Sequence, residues 1–151
     1  MSIREDISEA LQVRLRLTSG VQVVLRNPEL PPDITLFPAI SMFYGKDAVT
    51  EASFNDTYPV FKREWTITLV IYYTGSIPED DESAEVELGA FLDEVRRALY
   101  ANGDSLLSYS HTYIFDRGFG ELLKPHVGQS GVAIPFEIAI KYVDEIATIF
   151  A

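Results

Sequence analysis

Two histidines, a few acids near predicted helix ends and one glycine-flanked serine are the residues whose types could do chemistry. His111 and His126 lie fifteen positions apart, whereas two zinc ligands on one helix face need a His-Glu-x-x-His spacing. Each histidine reads as a structural polar residue. Gly128-Gln129-Ser130-Gly131 falls short of the Gly-x-Ser-x-Gly elbow that exposes a nucleophile, and reads as a turn. A hydrolase built on His111 with Asp104 or Asp116 would need those side chains to converge in a cleft. Gly118-Phe119-Gly120 follows Asp116-Arg117, yet it has no Lys-Ser/Thr pair to hold a phosphate. The carboxylates available for acid-base work, Asp80, Asp81, Glu85 and Asp104, fall at predicted helix termini, where charge is favourable without catalysis. Cysteine is absent, which removes thiolate nucleophiles, disulfides and sulfur ligation together. The expectation is a protein that is no enzyme, with no catalytic residues, no cofactor and no metal.

The composition is that of one ordinary globular unit: 151 residues, 47% hydrophobic and 23% charged, enough for one core in a single domain over 1–151. The formal net charge of −11 argues against nonspecific nucleic-acid binding, which needs clustered Lys and Arg. Eight of the twenty-three acids lie between Glu79 and Glu94, as expected of a solvated helix face and its N-terminus. The N-terminus carries acids where a signal peptide needs an apolar core, and no apolar run reaches a membrane span. The chain reads as a soluble protein made in a cytoplasm.

The elements that must position these residues follow from periodicity. Residues 3–17 repeat Ile3, Ile7, Leu11 and Leu15 at helical spacing, with Ser2 as cap and Gly20 as stop, although Leu11 to Thr18 also alternates like a strand. Val21 to Arg26 reads as a strand ended by Pro28. A proline elbow leads to a second strand, 39–44. The stretch Gly45 to Lys62 is polar, contains Gly45, Asn55 and Pro59, and reads as a long excursion. Arg63 to Thr74 is a strong strand by alternation. A long helix of about 82–102 presents Leu88, Phe91, Leu92, Val95, Ala98 and Leu99 as one stripe. Strands follow at 111–115 and 132–143, separated by a loop from Arg117 to Gly131 that holds four glycines; Pro135 marks a strand end or an edge. The fold class is α+β, a mixed or antiparallel sheet of four to five strands packed against the N-terminal helix and the long helix.

Aromatic residues in the two excursions are candidates for an interface, because Tyr and Phe bury much area with few rotors. Tyr58, Phe61 and Phe119, with Lys62 and Arg117 beside them, form the candidate interface set.

In this order of elements the chain resembles the tail terminator, or tail completion, proteins of tailed bacteriophages. The residues carrying the resemblance are the N-terminal amphipathic helix, Val21-Gln22-Val23-Val24-Leu25-Arg26-Asn27-Pro28, the elbow into Phe37-Pro38-Ala39-Ile40, the strand Arg63 to Tyr73 and the helix Ala84 to Tyr100. The resemblance implies a structural virion subunit at the head-proximal end of the tail, assembled in the host cytoplasm. Its copies would form a hexameric ring that stops polymerisation of the tail tube and receives the head-tail connector protein, with no catalytic residues to carry over. Six copies would carry six times −11, or −66, so any channel is expected to let DNA pass without specific binding. Other head-tail connector or minor tail proteins share this layout. A small α+β ligand- or protein-binding module, with its pocket between sheet and long helix, is the alternative of a different class.

Overall fold

The computed structural model describes residues 2–54, 59–74, 82–101, 106–107, 112–121 and 131–145, except for the side chains of 54, 82–85 and 145. His111, His126, Tyr58, Asp80, Asp81, Asp104 and the turn 128–130 lie outside the described residues.

Helix α1 (Ile3–Arg16) starts where Ser2 accepts a hydrogen bond from the Glu5 amide. Its Ile7, Leu11 and Leu15 are buried while Val13 is 52% and Leu17 64% exposed, so the helical period governs this segment and not the competing alternation. Strand β1 (Val23–Arg26) begins two residues later than the apolar pattern suggests. The elbow then turns through a short 3-10 helix, Ile34–Leu36, capped by the Asp33 carboxylate on the Thr35 amide at 3.0 Å.

Strands β2 (Ala39–Phe54) and β3 (Pro59–Tyr73) pair antiparallel along their whole described length. The excursion expected at 45–62 is therefore a hairpin, and Phe61 and Lys62 stand in strand rather than loop. Two register shifts, between Tyr44 and Asp47 and between Val49 and Glu51, each insert an extra residue and reverse the side-chain phase. That is why no clean alternation marks the strand. Gly45 belongs to this irregularity: a Cβ there would meet the Thr66 carbonyl oxygen at 2.7 Å.

Helix α2 (Glu82–Leu99) carries Arg96 and Arg97 in its last turn, where cations offset the dipole. Strand β4 (Tyr113–Phe119) extends past the expected 111–115 into the supposed glycine loop, and places Arg117 and Phe119 in strand as well. A further bulge between Asp116 and Gly118 uses Gly118 at φ 99, a backbone region that glycine enters without strain. Strand β5 (Val132–Glu145) closes the sheet.

The sheet order is β1-β2-β3-β5-β4, with β1 and β2 parallel and every other pair antiparallel. The fold is thus a five-stranded mixed sheet with an N-terminal helix and one further helix. Pro135 lies inside β5, opposite Val70. Its carbonyl accepts from the Gly120 amide just beyond the end of β4, and one residue's N–H and C=O point to the same side of a strand. The ring nitrogen therefore faces the β4 side at the very end of that pairing, so the β3–β5 ladder loses no donor.

Both helices pack on one sheet face. Ile7, Leu11, Leu15, Phe91, Val95 and Leu99 meet Ile40, Met42, Trp65, Ile67, Leu69, Phe136, Ile138 and Ile140 in one core. Buried Arg14 ties the helices together by donating to the Leu99 carbonyl at 2.6 Å, satisfying an acceptor that the end of α2 leaves open. Burial lowers the Arg14 pKa from its ordinary value. Neither α1 nor α2 packs on the opposite sheet face.

Candidate assembly surface on a projecting arm

Pairing defines the arm. β1 runs beside β2 only from Val23–Ala39 to Arg26–Met42, and β4 begins at Tyr113 opposite Lys141. Beyond these limits β2, β3 and the end of β5 continue as a three-stranded ribbon, since Val60 to Lys62 still pair with both Ser53 to Glu51 and Glu145 to Val143.

A polar network fastens the ribbon at its root. The Asp47 carboxylate, pushed onto the helix side of β2 by the first bulge, accepts from the Tyr142 hydroxyl. It also lies 3.5 Å from Arg4 of α1 and 3.8 Å from Arg63 of β3. Arg63 turns its Nε to Asp144 at 3.2 Å, while the Arg4 guanidinium sits 4.5 Å over the Trp65 ring. Burial first, and then the Asp47 hydrogen bond and charge, raise the Tyr142 pKa above its ordinary value. Nearby, the Ser8 and Tyr44 hydroxyls bond to each other, a second tie between α1 and β2. One end of the arm is thereby held by α1, β3 and β5 together.

The face without helices is laddered by opposite charges: Glu51 with Lys62 at 3.3 Å, and Glu64 with Arg117. Lys141 lies 4.6 Å from the centre of the Phe115 ring. Each exposed pair contributes little alone, about 0–1 kcal/mol, so the ladder sets the character of the face more than its stability. A shallow depression of about 490 Å³ lies here, bordered by Thr50, Lys62, Tyr113, Lys141 and Val143. Val49 is 47% exposed on the arm, and Leu30, Ile34 and Leu36 are exposed along the elbow.

The candidate interface residues divide accordingly. Phe61 and Lys62 stand on the arm, with the Arg63 guanidinium 5.9 Å from the Phe61 ring centre. Arg117 joins Lys62 on the helix-free face through Glu64. Phe119 is separate: it packs edge-on against Phe136 with centroids 4.4 Å apart, at the far end of β4. Tyr58 lies outside the described residues. Sequence reasoning missed Asp47, Arg63, Tyr142 and Lys141, and the only signal was the continued alternation of 132–143. Asp116, one acid of the considered hydrolase, instead pairs with Arg96 at 2.9 Å. Among the described residues no group of three or more His, Asp or Glu could hold a metal, and no helix is long and apolar enough to cross a membrane.

No protein-family model matches the chain, and no curated protein matches it at a significant level. Among solved structures, it is similar to a chain in the virion of a native gene transfer agent particle, with TM-score 0.54 and 13% identity. The two share a fold. The likeness covers 95% of this chain and 98% of the other.

Proposed function

We propose that the chain is a structural subunit of a phage-like virion, and more narrowly a tail terminator, whose copies form a ring on the tail tube. The arm is the observation that carries this reading. It is ordered by its own ion-pair network, extends beyond the pairing of β1 and β4, and presents Val49, Lys62 and Lys141 outward. A lone domain gains little from such a ribbon, whereas a neighbouring subunit could bury it. The near end-to-end fold likeness to a virion chain supports the virion setting.

In this reading the subunit acts by assembly and performs no catalysis. The space between sheet and α2, where a ligand-binding module would need its cavity, is filled by Phe91, Val95 and Leu99 against the strands. The ring is a hexamer, one side meets the tail tube protein, and the other meets the head-tail connector protein. With −66 on six copies, as six times −11, the ring is held by shape and apolar burial against self-repulsion, and DNA passes without specific binding.

Native mass spectrometry of the purified protein, alone and with tail tubes, followed by electron microscopy of the mixture, tests this. A six-fold ring at one tube end is the expected result. A species that stays monomeric at every concentration and leaves tubes uncapped overturns the reading. Tight duplex binding by the assembled ring at moderate salt would overturn the channel argument alone.

A further inference from the structure

Helix α2 and the depression on the arm lie on opposite faces of the sheet. Ile140 and Tyr142 of β5 belong to the core beneath the helices, and side chains alternate along a strand, so Lys141 and Val143 point to the other face. Phe91, Val95 and Leu99 turn α2 toward that same core. Its outer side therefore carries Val86, Glu87, Gly89, Ala90 and Asp93, all exposed.

The two surfaces match in shape and in charge. The depression of about 490 Å³ has Tyr113 and Val143 as apolar walls and Lys62 and Lys141 beside them. Tyr113 is 36% and its neighbour Phe115 39% exposed, and the Lys141 ammonium lies 4.6 Å from the centre of the Phe115 ring. Lys62 already meets Glu51 at 3.3 Å, so Lys141 is the main cation this surface offers. On α2, Val86 is 68% exposed between the carboxylates of Glu87 and Asp93. Gly89 and Ala90, one turn further on, have no bulk to hold a partner away. One surface is thus a cationic hollow with apolar walls, and the other an apolar knob flanked by acids.

We infer that Val86 of one copy seats in the depression of a second copy, with Glu87 and Asp93 set against Lys141 and Lys62. This rests on the ring reading and names the surface of the neighbour that covers the arm. The two surfaces look away from each other through the sheet, so a single chain cannot join its own knob to its own hollow. Contact between like surfaces would stop at a two-fold dimer, whereas unlike surfaces give a head-to-tail contact that repeats around a ring.

Charge selects the occupant. At a formal −11 per copy, two copies repel unless their contact brings acids of one to cations of the other. Eight of the twenty-three acids lie between Glu79 and Glu94, the segment that holds Val86, so this helix is the part of a second copy best suited to a hollow lined by lysine.

Val86→Lys tests the seat, since it sets a cation against Lys141 at an exposed helix position that lysine suits at least as well as valine. By native mass spectrometry the variant should need at least about tenfold more protein to assemble than the wild type, with an unchanged near-ultraviolet circular dichroism spectrum. The absence of cysteine from the chain allows a second reading. A chain carrying both Val86→Cys and Val143→Cys, treated with a short bis-maleimide while assembled, should give a covalent ladder of linked copies, and neither single variant should link. Val86→Cys linking to itself would show a two-fold contact and overturn the docking. If Val86→Lys assembles like wild type, or rings of the double-cysteine chain stay unlinked, the depression has another occupant; the docking is then wrong and the ring reading stands. If the wild-type protein never assembles, alone or with tail tubes, both fall.

Discussion

The Tyr142 hydroxyl donates to the Asp47 carboxylate, joining β5 to β2 across the intervening β3. Asp47 reaches this position through the bulge after Tyr44. Arg4 and Arg63 lie 3.5 and 3.8 Å from it, so a backbone irregularity and a charge cluster together form the root of the arm.

The same contact gives the fold an alkaline limit. Tyr142 is 3% exposed, and burial plus the Asp47 anion raise its pKa above the unfolded value of about 10. A raised value means that the folded protein holds the phenolic proton more tightly than the unfolded chain. The associated stability is complete below about pH 10 and declines as pH rises above it. Tyr142→Phe should cost about 1.5–3 kcal/mol at pH 7 and flatten the fall above pH 10. Urea unfolding between pH 7 and 11 reads both effects, and parallel curves for wild type and variant would refute the contact.

The core stripe of α2 yields a contrast within one helix. Leu99 is fully buried between α1 and the sheet, whereas Leu92 is half-buried at the margin of the core. Leu99→Ala should cost about 2–5 kcal/mol through a cavity, and Leu92→Ala below about 2 kcal/mol, since its methyl groups already meet water. Urea midpoints for the two variants decide it; a larger loss at Leu92 would mean that the helix is rotated from the packing described.

These two examples show what was legible in the sequence. The stripe of α2 and the Ser2 cap of α1 are local patterns, and each element lies where its period indicates. The arm is not local. Each bulge in 44–51 reverses which residues face the helices, so a strand with no internal alternation reads as a loop. Gly45 looks like a breaker, though its place is set by the Thr66 carbonyl. Gly118 is likewise a bulge residue within β4. Asp47 and Tyr142 are 95 positions apart, and neither residue's neighbours hint at the other.

Shortening the arm separates folding from assembly. The root network uses Asp47, Arg63, Tyr142 and Asp144, so replacing 50–61 by a short glycine-containing turn leaves that anchor and the helix-bearing core in place. Only the tip pairs are removed, together with the exposed Glu51–Lys62 bridge, which contributes at most about 1 kcal/mol. The thermal midpoint should therefore shift by no more than about 2–4 °C, the equivalent of roughly 1 kcal/mol in a domain of this size. Ring formation and tube capping should be lost, because the residues that the proposed ring places against a neighbour have gone. Differential scanning calorimetry with electron microscopy checks the pair of outcomes. Intact rings from the shortened chain would show that the arm is not the assembly element, and collapse of the thermal transition would show that the tip belongs to the core fold.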